Sequence, residues 1–168
     1  MGTAFALCRE SGLEESLKHT LLQQVETGEV EVFTDPLASP TGFPFKVAQL
    51  EGTLSDHAAY AARSRVCNLG YLRTTYLTPA GELGYRCAGE PVASFLRKGG
   101  TEEETQGRKC LCNALLANIG LPQQRPGGYR EKPLVTLGEG VEAVRQLLGG
   151  ERKSYTAAEV IDYLLAEG

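Results

Sequence analysis

The sequence predicts a helix-rich α+β fold. Apolar residues recur at helical spacing in several runs, and two of those runs open with a Ser/Thr-x-x-Glu box. The few alternating runs that suit strands fall in the first third of the chain. No internal repeat or low-complexity tract interrupts this order.

Ser11-Gly12-Leu13-Glu14 reads as a capping box with Ser11 as N-cap. Leu13, Leu17, Leu21 and Val25 follow as a helical stripe widened by Leu22, and Gly28 supplies the stop. Glu29 to Thr34 alternates and suits a short strand with Val30, Val32 and Thr34 on one face. Asp35 to Pro44 is a loop stiffened by three prolines, and Phe45 to Leu50 suits a second strand. Ser55 to Ala62 suits a short helix. Residues 67 to 87 form an irregular or hairpin segment around Pro79-Ala80-Gly81. Glu90 to Lys98 is helical and stops at Gly99-Gly100, and Thr101 with Glu104 offers another cap until Gly107 breaks the run. Cys112, Leu115, Leu116 and Ile119 make an inward stripe ended by Gly120 and Pro122. Val141 to Leu148 is a helix, and Thr156 with Glu159 boxes the start of a last one carrying Val160, Ile161, Leu164 and Leu165 inward.

A chain of 168 residues is enough for one domain of ordinary size. Area scaling gives roughly 8,100 Å² folded against about 26,000 Å² unfolded. The net charge of −4 argues against a nucleic-acid partner, which selects basic surfaces. No run of eighteen apolar residues suggests a transmembrane helix, and no basic run followed by an apolar one suggests a signal peptide. The expected compartment is the cytosol, where five cysteines are free, metal-binding or redox thiols rather than structural disulfides.

Gly2-Thr3, followed by Phe5 and a helix start, is a phosphate-cradle pattern in which backbone N–H groups face an anion. Such a pair normally follows a strand. It is therefore either an ordinary helix leader or part of a larger phosphate- or cofactor-binding protein. The run Gly-Thr-x-Phe-x-x-x-x-Glu-Ser, Gly2 to Ser11, resembles the segment after the last barrel strand of the nitronate monooxygenases, formerly 2-nitropropane dioxygenases. It departs from that family at Ala4 and Cys8, where members often carry Arg and Thr. Thr34-Asp35 and the loop to Lys46 also look like the family's tail, where the chain returns towards the cofactor. So do Ser39 to Lys46, Cys67 to Arg73, Gly84 to Cys87 and Gly107 to Asn113, which resemble a longer bacterial branch of it.

The resemblance implies an FMN-dependent (β/α)₈ enzyme that oxidises alkyl nitronates with O₂, with Gly2 and Thr3 at the FMN phosphate. On this reading the chain is the C-terminal portion of such a protein. Residues 1–50 are the tail of the flavin barrel, and residues 51–168 a Cys-containing, mostly helical extension. The family's general base is a histidine in a Gly-Gly-His run. Neither His19 nor His57 follows Gly-Gly, and both read as surface residues, so no catalytic base is assigned and the chain alone is expected to be inactive. Its partners would be a small-molecule substrate in the intact protein and a missing N-terminal barrel half or a further copy. Without that barrel, the Leu13–Val25 stripe is expected to be partly exposed.

Cys67, Cys87, Cys110 and Cys112 fall in one region, and four thiolates are the number that holds a structural Zn²⁺ or an iron–sulfur centre. Within one helix Cys110 and Cys112 would point about 200° apart, so they share an ion only if Cys110 precedes the helix. Arg65, Arg86, Arg108 and Lys109 flank the thiols and are expected to favour thiolate. The competing reading is buried small hydrophobes, which suits Cys8 and Cys112. A free-standing binding or structural domain with a Cys-ligated Zn²⁺ is thus the alternative to the flavoprotein portion. Arg63, Arg65 and Arg73 stand among three tyrosines between His57 and Gly81. They suit either anion or ring recognition or pairing with acidic neighbours.

Overall fold

The computed structural model describes residues 2–150 and 152–166. Among them are seven α-helices: α1 (Gly2–Leu7), α2 (Glu15–Thr27), α3 (His57–Ala61), α4 (Val92–Arg97), α5 (Leu111–Asn118), α6 (Val141–Leu148) and α7 (Ala157–Ala166). Two antiparallel hairpins pair β1 (Val32–Asp35) with β2 (Phe45–Ala48) and β3 (Thr74–Leu77) with β4 (Leu83–Arg86). The chain is therefore α+β, and the described residues form no closed barrel. No helix among them is long and apolar enough to cross a membrane.

The pleat of β2 decides where the cores lie. Val47 and Ala48, adjacent in sequence, are buried in two different apolar clusters because successive strand side chains point to opposite faces. The extended segment 133–137 lies alongside. Ala48 N–H donates to Val135 O at 2.9 Å and Leu54 N–H to Pro133 O at 2.8 Å. This segment alternates in the same way: Leu134 enters one cluster, and Val135 and Leu137 enter the other. The first cluster is helical, with Ala4, Leu7, Leu21, Leu22, Val25, Val144 and Leu148 from α1, α2 and α6, closed by Tyr155 and by Val160 of α7. The second gathers Ala38, Leu54, Leu111 and Ala114. Packing thus runs across residue 50, since the first cluster joins residues 4–50 to residues 135–160.

Local signals explain most element ends. Gly28 adopts φ 77° and returns its N–H to the end of α2, a left-handed cap that a Cβ would strain. Thr156 and Glu159 make the expected box: the Thr156 N–H donates to Glu159 Oε2 at 2.7 Å and the Glu159 N–H to Thr156 Oγ1 at 3.3 Å. Asp56 caps α3 by accepting from Ala58 N–H. The β3–β4 hairpin turns at the expected Pro79-Ala80-Gly81.

Four local expectations are corrected. Ser11 is not the N-cap of α2. Glu14 is, accepting from the N–H groups of Ser16 and Leu17, while Ser11 Oγ is buried without a partner among the described residues. The carboxylate reaches the first turn directly, so α2 starts three residues later than a Ser11 cap would place it. On α5 the buried face carries Leu111, Asn113, Ala114, Ala117 and Asn118, whereas Leu115 and Ile119 are 36 % and 48 % exposed. The small-residue face is the one that approaches the second core, and Asn118 Nδ2 donates to Leu134 O at 2.9 Å there. On α7, Val160 is buried and Leu164 packs on the core, but Ile161 and Leu165 face outward, Leu165 at 76 % exposure. The Leu13–Val25 stripe is covered: Leu21, Leu22 and Val25 are buried with α6, and Leu13 and Leu17 pack beside them.

A buried charge cluster holds the 123–132 loop to the end of α3. Glu131 accepts Arg63 Nε at 2.8 Å and Nη2 at 2.7 Å, Tyr129 Oη at 3.1 Å and its neighbour Lys132 N–H at 3.2 Å. Arg125 adds a contact at 3.4 Å and lies over the Tyr129 ring. The paired side chains of Glu131 and Arg63 are 0 % and 2 % exposed. Burial pushes the Glu131 carboxyl up, but the hydrogen bonds and charge of Arg63 outweigh it and hold the group below its ordinary range.

Glu131→Gln or Arg63→Met should each lower unfolding free energy by about 3–5 kcal/mol, because the surviving charge is left buried. The double change Arg63→Met with Glu131→Leu should recover most of that loss in urea titrations. Because the folded carboxyl titrates below the unfolded one, Glu131 stabilises the fold above its ordinary pKa of 4.5. That contribution disappears as pH falls through the folded value. Glu131→Gln should therefore flatten the acid limb of the stability profile below about pH 4.5.

Candidate functional site

Gly2 and Thr3 open α1 and line a concavity of about 380 Å³ shared with Ala6, Thr136, Gly138, Glu139 and Gly140. Sequence reasoning missed the opposite wall, although the Gly-x-Gly run immediately before α6 was its signal. The Gly138 N–H donates to Thr3 Oγ1 at 2.8 Å, which makes the buried Thr3 hydroxyl the hinge between the two walls. A Cβ on Gly138 would stand 3.3 Å from that oxygen, whereas one on Gly2 or Gly140 would meet nothing within 4 Å. The rims are thus open glycine backbone. Lys46, at the end of the proline-rich loop, pairs with Glu139 on the wall of this concavity. Hydrogen bonding to Lys46, together with its charge, holds the Glu139 carboxyl below its ordinary range.

The tail of the molecule is pinned to the same helix. Tyr155 Oη donates to Ala4 O at 2.7 Å, Arg9 N–H to Tyr155 O at 2.9 Å, and Ala157 N–H to Glu10 Oε2 at 2.8 Å. Burial raises the Tyr155 phenol well above its ordinary value, keeping it a hydrogen-bond donor. His19 and His57 are exposed, as expected.

The four cysteines lie on the other side of the β2 ribbon. Cys110 has φ −78° and ψ 80° and precedes α5, so the condition for sharing a ligand with Cys112 is met. Asn113 joins two of the cysteine-bearing stretches, donating from Nδ2 to Cys110 Sγ at 3.3 Å and to Asn68 Oδ1 at 2.9 Å. Arg65 Nη1 donates to Ala88 O at 3.2 Å, and a Cβ on Gly89 would stand 3.0 Å from Lys109 O. The stretches 65–68, 87–89 and 109–113 are therefore sewn together. The Gly89 N–H lies beside the Cys87 thiol and the Leu72 and Tyr71 N–H groups beside that of Cys112, each favouring the charged form. Cys8 lies apart in the helical core, its thiol donating to Phe5 O at 3.1 Å.

The flanking cations do not favour thiolate as expected. Burial, reinforced by the neighbouring thiols Cys67, Cys110 and Cys112, pushes Cys87 up to about 11. Burial also raises Cys112. The cations are committed elsewhere. Arg108 binds the carbonyls of Leu37 and Ser39, Arg86 the Lys98 carbonyl, and Arg65 those of Ala88 and Thr105. Lys109 lies over the Tyr60 ring, 3.8 Å from Asp35. Arg63 is bound to Glu131, which favours the pairing reading for it.

No family model, curated protein or solved structure matches this chain. Among the described residues no group of three or more His, Cys, Asp or Glu side chains is placed to hold a metal ion.

Thr3→Val should remove the acceptor of Gly138 N–H and cost about 1–3 kcal/mol in chemical denaturation, whereas Thr3→Ser should retain most of the stability.

Proposed function

We propose that this chain is the phosphate-side and closing portion of an FMN-dependent oxidoreductase resembling the nitronate monooxygenases. The observation that supports the reading is the open concavity at Gly2 and Thr3, faced by Gly138 to Gly140. Backbone N–H groups at a helix start beside bare glycine walls suit a phosphate oxygen and leave it room to approach. The Glu139 carboxylate would oppose an anion there, and its pairing with Lys46 offsets that charge. The residues fit the phosphate end of FMN only. The described residues offer no barrel to surround the ring and no histidine in a Gly-Gly-His run.

When bound, FMN would supply the electron transfer from an alkyl nitronate to O₂. This chain's part would be to fix the phosphate and pack its helical core behind it. The substrate would be a small molecule taken up by the intact protein in the cytosol, and neither nucleic acid nor membrane is part of the reading. The missing ring-binding half would come from a preceding barrel or from another copy.

Titration of the ¹⁵N-labelled chain should show FMN shifting the amides of Gly2, Thr3, Gly138 and Gly140, while riboflavin, which lacks the phosphate, leaves them in place. Affinity should be weak, and nitroalkane turnover by the chain alone should be absent. FMN shifts scattered away from these amides would overturn the phosphate assignment. Turnover by the isolated chain would overturn its role as a portion.

A further inference from the structure

We propose that Cys67, Cys87, Cys110 and Cys112 close on a single Zn²⁺ ion, forming a thiolate site that locks the 65–72, 87–89 and 109–113 stretches together. This inference stands apart from the flavin reading and uses none of its residues.

The chemistry of the donors points to zinc. Four free thiols come from three stretches that hydrogen bonds and the close approach of Gly89 to Lys109 O hold side by side. Four sulfur ligands in a closed set are the signature of a structural tetrahedral site. Cys110 sits just before α5 and Cys112 in its first turn, so the two sulfurs are not forced to opposite sides of one helix. Donors already stand beside the sulfurs: the Asn113 amide donates to Cys110 Sγ at 3.3 Å, the Gly89 N–H lies near Cys87, and the Leu72 and Tyr71 N–H groups lie near Cys112. Donors of this kind offset the negative charge that four thiolates leave on a divalent ion, and they orient the sulfurs.

Among the described residues the sulfurs do not stand as a metal-ligand set, so the site closes only when the cysteine side chains turn. One χ1 step carries a cysteine sulfur about 3 Å between staggered wells. The backbone frame needs no such change, because Arg65 to Ala88 O, Asn113 to Asn68 Oδ1 and the close approach of Gly89 to Lys109 O already hold it. Binding one ion releases the thiol protons to solvent and forms four Zn–S bonds, with no change in oxidation state.

The site also gives the β3–β4 hairpin a reason for its position. Its strands bury little, and a two-stranded hairpin is marginal alone. Cys87 follows β4 directly and Tyr71-Leu72 precede β3, so a metal at the cluster would tie both ends of the hairpin to α5.

Reduced, metal-free full-length chain should take up one Co²⁺ per molecule. The absorption should show sulfur-to-cobalt charge transfer and intense tetrahedral bands, and one equivalent of Zn²⁺ should displace the ion. Zn²⁺ should protect four of the five thiols from a disulfide reagent. Serine at any of the four positions should abolish stoichiometric uptake, Asn113→Ala should weaken it about tenfold, and Cys8→Ala should leave it unchanged. The spectrum and the protection are read on the unaltered chain, so a variant that fails to fold leaves the test intact. A weak octahedral cobalt spectrum, no protection, or iron with acid-labile sulfide in the purified protein would overturn the assignment.

Discussion

The structure depends on the pleat of β2 and on segment 133–137, which the Ala48 N–H to Val135 O bond holds beside it as a two-faced ribbon. Its two faces cannot serve one core, because adjacent residues of a pleated chain point apart. Val47 and Leu134 face one way, and Ala48, Val135 and Leu137 the other. Everything else sorts by which face it covers. α1, α2, α6 and α7 close over one side, and α5 with the 38–54 stretch closes over the other. A slip of one residue between β2 and 133–137 would exchange the faces and bury the wrong side chains in both cores.

The ribbon also separates the two places where chemistry gathers. Its Thr136–Gly138 end runs into the Gly2–Thr3 concavity, so the proposed phosphate contacts rest on the helical core. The cysteine cluster sits on the opposite side, beside Leu72, Leu111 and Ala114. Glu131 holds Arg63 and Tyr129, fixing the loop that leads into the ribbon. The molecule's accessible area of 9,398 Å² exceeds the roughly 8,100 Å² expected for its mass, which fits a body with exposed arms such as the β3–β4 hairpin.

What was legible in the sequence was legible because the cause is local. Gly28 stops α2 because the left-handed cap costs a glycine nothing, and Thr156-x-x-Glu159 starts α7 because both cap partners lie within one turn. Apart from the cap of α2, where Glu14 rather than Ser11 takes the first N–H groups, what failed turned on a partner elsewhere in the chain. The α5 stripe of Cys112, Leu115, Leu116 and Ile119 has sound periodicity, yet the face with Ala114 and Ala117 is buried, since small residues permit the closer approach to Leu134. The thiol environment misled for the same reason. Arg65 and Arg108 flank the cysteines in sequence, but distant carbonyls at Thr105 and Ser39 take their charge.

By itself the sequence determined the helix-rich α+β class, the turn at Pro79-Ala80-Gly81, most caps, and the residues worth watching at Gly2, Thr3 and the four cysteines. Only the tertiary structure decided what faces them. It set Gly138 against Thr3, released Cys110 from the helix that holds Cys112, and gave Arg63 to Glu131. The physical reason is range. Caps, turns and periodicity act over a few residues, while burial and hydrogen-bond partners are settled by which chain segments the two faces of one pleated ribbon bring together.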